Sequence, residues 1–158
     1  MKRLGICVEV AAIFFGVTPA ALAQTPTWVP LANTMFVLAP TESDNKIYLG
    51  ANIDSRTKDV AINILDLSET TCKEGDTSAP RDTTPIKING QFLKFIQVCI
   101  NGTGINQPKT DAGKQFLNAA VSSGAPVVVE TGTTVPLHYP GTNLAPVKAK
   151  LRAAAAAM

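Results

Sequence analysis

Ile86-Lys87-Ile88-Asn89-Gly90-Gln91-Phe92-Leu93-Lys94-Phe95-Ile96-Gln97-Val98-Cys99-Ile100 is the stretch that decides the fold. Two runs of β-formers flank Asn89-Gly90, and Asn followed by Gly tolerates the positive φ angles that a type I′ turn requires. The stretch therefore predicts an antiparallel hairpin. Its second arm, Gln91 to Ile100, carries apolar residues on both faces, which predicts a central strand, a bulge, or both. Asn101-Gly102-Thr103-Gly104 ends the arm. The first three of these residues also match a glycosylation acceptor, but the motif is short and is read as a turn.

Upstream of the hairpin the chain reads as a meander. Thr34 to Ala39 is a short apolar run with β-formers, bounded by Pro40. Ile47, Leu49, Ala51 and Ile53 recur at period two, which suits a strand with one buried face. Asp54 to Asp59 is a polar turn, and Val60 to Leu65 puts Ile62 and Ile64 on one face with Asn63 on the other. Gln24 to Pro30, with the only tryptophan, Trp28, reads as an extended lead-in. Leu67 to Pro85 is the longest stretch without a periodic signal. Loops of that length inside a domain are usually functional or mobile, and a tether at Cys72 would limit the mobility.

Downstream, Thr110 to Ser123 predicts a helix. Thr110 can cap it, Asp111 suits its positive end, Gly124 can stop it, and Phe116, Leu117, Ala120 and Val121 share a face. Val127-Val128-Val129 and Thr134 to Tyr139 predict two further strands, the second at an edge or bulge because of Pro136. A last helix begins near Asn143, where Pro146 falls in the first turn and Leu144, Val147 and Leu151 form an apolar stripe. Ala153 to Ala157 has little to pack with and is expected to fray. The pattern predicts one α+β domain over residues 24–158. Its core is a mainly antiparallel twisted sheet of about six or seven strands with both helices on one face.

The first 23 residues predict export. Lys2 and Arg3 precede an apolar stretch, Val10 to Val17, and Ala21-Leu22-Ala23 supplies the small residues needed at a cleavage site before Gln24. The apolar run is too short to span a bilayer, so no transmembrane segment is expected in the mature chain. Glu9 weakens the signal, and Cys7 lacks the small preceding residue a lipid-attachment site wants. Cys7 leaves with residues 1–23, so Cys72 and Cys99 remain as an even pair. In an oxidising compartment, periplasmic or extracellular, that pair predicts a disulfide.

Charge is nearly balanced, with 14 basic and 12 acidic residues, which gives no reason to expect nucleic acid or an anionic membrane as partner. The catalytic signatures are missing. A single histidine, His138, would have to serve any Ser-His-Asp or Cys-His site, and on its strand it reads as a partly exposed residue. No nucleophile elbow, phosphate-binding glycine loop or zinc motif is present, so no cofactor or metal is expected. Asp66, Glu69, Glu74, Asp76 and Asp82 crowd one segment without the spacing of a calcium loop. The expectation is a small exported, non-catalytic binding protein. Glu69, Glu74, Asp76 and Asp82 could face a basic partner or another envelope protein. A small hydrolase using acidic residues and a structural accessory of an envelope assembly are the alternatives. An apolar patch on the sheet would favour binding or assembly, and a deep cleft with two carboxylates would favour the enzyme.

Overall fold

The computed structural model describes residues 27–157 apart from 33, 43, 69, 70, 74, 133 and 134, so the segment expected to direct export, Glu69 and Glu74 lie outside the described residues. The chain folds as α+β, with two helices, an antiparallel seven-stranded sheet and a second antiparallel sheet of four strands. The large sheet runs β1 (Val29–Ala32), β2 (Met35–Leu38), β3 (Ile47–Ile53), β4 (Val60–Asp66), β9 (Thr103–Pro108), β8 (Phe95–Ile100) and β5 (Arg81–Asp82). The small one runs β11 (Leu137–Tyr139), β10 (Val127–Glu130), β6 (Ile86–Ile88) and β7 (Gln91–Leu93).

The Asn89-Gly90 hairpin forms as expected. Asn89 and Gly90 take φ of 47° and 84°, and Ile88 pairs with Gln91. Its second arm is not one strand. It breaks at Lys94, so β7 stays in the small sheet while β8 enters the large one. Apolar residues on both faces of Gln91 to Ile100 thus record a strand that changes sheets. At the far end of β8 the chain turns again through Asn101 (φ 49°) and Gly102 (φ 80°) into β9. β9 starts within the turn read at Asn101 to Gly104 and runs on through residues 105–108, where the sequence predicts no element.

The loop from Leu67 to Pro85 is tied at both ends to the large sheet. Cys72 and Cys99 form a disulfide with 5.7 Å between Cα atoms. Thr77 bridges to Ile100, and Arg81–Asp82 add the last short strand. The first helix, α1 (Asp111–Ser122), is capped by Thr110, whose hydroxyl accepts from the Gly113 amide. The second, α2 (Ala145–Ala156), carries its proline in the first turn and stays helical through most of the alanine run expected to fray. Pro136 precedes β11 rather than interrupting it.

One core holds these layers together. Phe36, Leu38, Leu49, Ala51, Ile62 and Ile64 on one face of the large sheet meet Leu117 and Val121 of α1 and Val147 and Leu151 of α2. Ile88, Val129 and Leu137 close it from the small sheet. Tyr139 is fully buried, and its hydroxyl donates to the Ile47 carbonyl at 2.9 Å, linking the two sheets. Desolvation in that setting raises its pKa well above the ordinary phenol range. The Asn118 amide, bonded to the Val60 carbonyl, fixes α1 on β4, while Lys148 reaches Asn118 and Ser122 to join the helices.

Candidate functional site

The two faces of the large sheet follow from its register. Met35, Asn52 and Ala61 stand in one cross-strand row, and Val29, Val37, Gly50 and Asn63 in the next. Tyr48, Leu65, Ile105 and Val98 form a third. Ile96 with Gln107, and Ile100 with Thr103, complete this side. Their chain neighbours point the other way, into the core below both helices, so these residues form the outer face. From β1 to β8 the outer face carries no charged side chain. An antiparallel sheet with one solvated face ordinarily alternates apolar inward with polar and charged outward, and this one does not.

At the centre of the outer face the packing is close. Leu65 lies across Gly50, where an added Cβ would come within 2.9 Å of the leucine side chain, and Leu65 is fully buried. Asn63 donates to Asn52 Oδ1 at 2.6 Å, which satisfies the one polar pair among these rows. Around that centre Tyr48, Ile96, Val98 and Ile105 are half-buried. At the two ends Val29 and Ile100 are 50% and 48% exposed. The first charged residue on this side is Asp82, opposite Ile96 on β5.

The acidic loop reaches the same edge. Asp82 is exposed and holds the Lys109 ammonium through both carboxylate oxygens, at 2.7 and 2.8 Å. Asp76 is exposed and accepts from the Lys73 amide, closing a turn. Glu69 and Glu74 lie outside the described residues, so of the four acids only Asp76 and Asp82 are placed. Asp66 belongs to the fold instead. Its carboxylate accepts from the Ser68 amide and hydroxyl and from the Thr71 hydroxyl, anchoring the start of the loop.

Two hollows accompany these surfaces. One, of about 410 Å³, is mostly apolar and lies between Trp28, Phe36, Pro146 and Val147. Trp28 is held there by a 2.7 Å bond from its indole N–H to Thr142, and Lys150 stands 5.9 Å from the centre of the Phe36 ring. The other, of about 240 Å³, has a mixed polar and apolar lining and opens on the inner side of the large sheet beneath the disulfide-tied loop. Among the described lining residues only Asp66, in the second hollow, carries a carboxylate, so no described pair of acids faces either hollow as a glycoside-cleaving site would need. Among the described residues no group of three or more His, Cys, Asp or Glu could hold a metal ion. No described helix is long and apolar enough to cross a membrane.

His138 lies on β11, apart from both hollows. Its amide donates to Glu42 Oε2 at 3.0 Å, and its Nδ1 lies 2.8 Å from Oε1. The side-chain bond from His138 pulls the Glu42 carboxyl down to about 2, the largest of several causes. This pair pins the loop after β2 to the small sheet, together with the Thr41 amide on the His138 carbonyl. It acts as a tether between them.

No protein-family model, curated protein or solved structure matches this chain.

Proposed function

We propose that this is a small exported, non-catalytic interaction protein that docks on another envelope protein through the outer face of its large sheet. The observation that carries the reading is that face: five adjoining strands carry apolar side chains and amides on it with no charge among them, buried at Val37, Asn63 and Leu65 and half-exposed at Tyr48, Ile96, Val98 and Ile105. Contiguous apolar surface of this kind marks interaction sites in soluble proteins. A partner that fits it presents an uncharged apolar surface, because a buried unpaired charge opposite these strands would cost several kcal/mol. Asp82 and the acidic loop stand at the edge, where interfaces carry their polar rim, so basic groups of the partner fall there. The disulfide supports an oxidising compartment, as the expected export signal requires.

Capture from envelope extract tests this reading. Wild-type protein should retain a partner that Val98→Lys loses, while neutralising Asp76 and Asp82 only weakens capture in a salt-dependent way. Capture unaffected by Val98→Lys in a folded protein would remove the outer face from the account. A concentration-dependent dimer that Val98→Lys abolishes would make the occupant a second copy of this chain.

A further inference from the structure

We propose that the hollow beneath the disulfide-tied loop is a binding site for a neutral, hydroxyl-bearing molecule of about monosaccharide size. It lies on the opposite side of the sheet from the docking face, and it stands or falls independently of that reading. Its volume of about 240 Å³ equals the liquid share of about eight waters.

Two side chains make the site unusual. Gln97 and Asn106 are polar residues on the inner face, in register with each other, and are only 5% and 7% exposed. Gln97 Oε1 accepts two bonds from the Arg81 guanidinium, at 2.8 and 3.3 Å. The Gln97 amide nitrogen donates to Asn106 Oδ1 at 3.2 Å, and the Asn106 amide nitrogen donates to the Ile64 carbonyl at 3.3 Å. These bonds hold both amides rigidly, yet each nitrogen spends one of its two N–H groups on them. Both residues line the hollow, so the second N–H of each is the donor it can offer there. The interior of the sheet thus offers preorganised donors to whatever fills the space.

The remaining lining decides the chemistry. Thr71, Thr83 and Thr84 supply hydroxyl and backbone groups from the loop, and Ile64 and Ile86 give an apolar floor. Asp66 disfavours an anion, and its oxygens already accept three bonds from Ser68 and Thr71, which leaves little to reward a cation. Hydroxyl groups both donate and accept, and so match a wall of amide donors and threonine hydroxyls.

The test is a titration of the disulfide-bonded protein recovered after export, followed through the side-chain amide NMR signals of Gln97 and Asn106. D-glucose and myo-inositol are the probes, with n-propylammonium and acetate as charged comparisons. The expected result is a saturable shift of both amide signals with either polyol, at a half-saturation of about 1 mM, in keeping with a ligand of about a dozen non-hydrogen atoms. The charged probes should leave the signals in place. Thr84→Trp, which fills the mouth from an exposed position, should weaken the polyol at least about tenfold with the melting temperature kept. Thr84→Val gives the same direction with a smaller loss, and serves if the indole disturbs folding. The proposal is overturned if neither polyol gives a saturable shift. It is equally overturned if a charged probe binds as well, or if both folded Thr84 variants bind like wild type.

Discussion

The inner and outer faces of the large sheet are made by the same strands with opposite demands. On the inner face Leu49, Ala51, Ile62 and Ile64 disappear beneath two helices and a second sheet. On the outer face Tyr48, Ile96, Val98 and Ile105 are nearly as apolar, yet both helices pack on the other side. Hydrophobic burial explains most of the first face. On the second it accounts for Val37 and Leu65 but not for the half-exposed Tyr48, Ile96, Val98 and Ile105, and that contrast is why the docking role is proposed there. Substitutions should divide along the same line, costing stability on one face and association on the other.

The largest effect belongs to the core. Leu117→Ala in α1 should cost about 3 kcal/mol, since it opens a cavity where the side chain has no exposure at all. A loss below about 1 kcal/mol, measured by denaturant unfolding, would mean that the helices contribute little to holding the inner face. Cross-linking comes next. The disulfide joins residues separated by 27 positions, and Cys99→Ser should cost roughly 3 kcal/mol in the chain-entropy account. Cys72→Ser should match it, and the double variant should be no worse than either single one apart from local packing. Two free thiols in denatured, unreduced protein would contradict the cross-link.

A smaller effect is expected at the tether between the loop after β2 and the small sheet. Glu42 has its carboxyl lowered in the folded state, so the stability it contributes is full above the ordinary carboxylate range and is lost as pH falls toward about 2. Glu42→Gln should therefore be less stable than wild type near neutral pH, by under about 1 kcal/mol for so exposed a pair, and equal to it in strong acid. Parallel pH profiles for the two proteins would dismiss the tether. The smallest effect on stability should come from the outer face. Ile96→Thr, Val98→Thr and Ile100→Thr keep β-branched side chains and should each shift stability by only about 0.5 kcal/mol.

Much of the inner face is legible in the sequence. Period-two alternation marks Ile47 to Ile53, and the Asn-Gly dipeptide marks the hairpin. The helix at Thr110 announces its own cap and stop. β9 is hidden because Thr103-Gly104-Ile105-Asn106-Gln107-Pro108 is poor in β-formers. It is a strand because β4 and β8 pair with it on both sides. The clue that could have revealed it is Asn101-Gly102, the same turn chemistry as Asn89-Gly90. The switch of sheets at Lys94 is tertiary information that no local pattern contains. The outer face was half visible: apolar residues on both sides of Gln91 to Ile100 signalled something beyond a simple half-buried strand. Residues such as Tyr48, Leu65 and Ile105 could be joined to it only once register was known. Gln97 and Asn106 gave no signal at all, since polar residues read as solvent-facing until the strands are paired.

Site-specific photocrosslinking in cells that produce the protein tests the central claim most directly. A benzophenone side chain replacing Ile100, at the open end of the outer face, should trap a discrete adduct, and so should one replacing Val98. The same group replacing Gln115, exposed on α1, should trap none. Adducts at 98 and 100 but not at 115 are the result this account predicts. Equal labelling at all three positions, or none at 98 and 100 in folded protein, would contradict it.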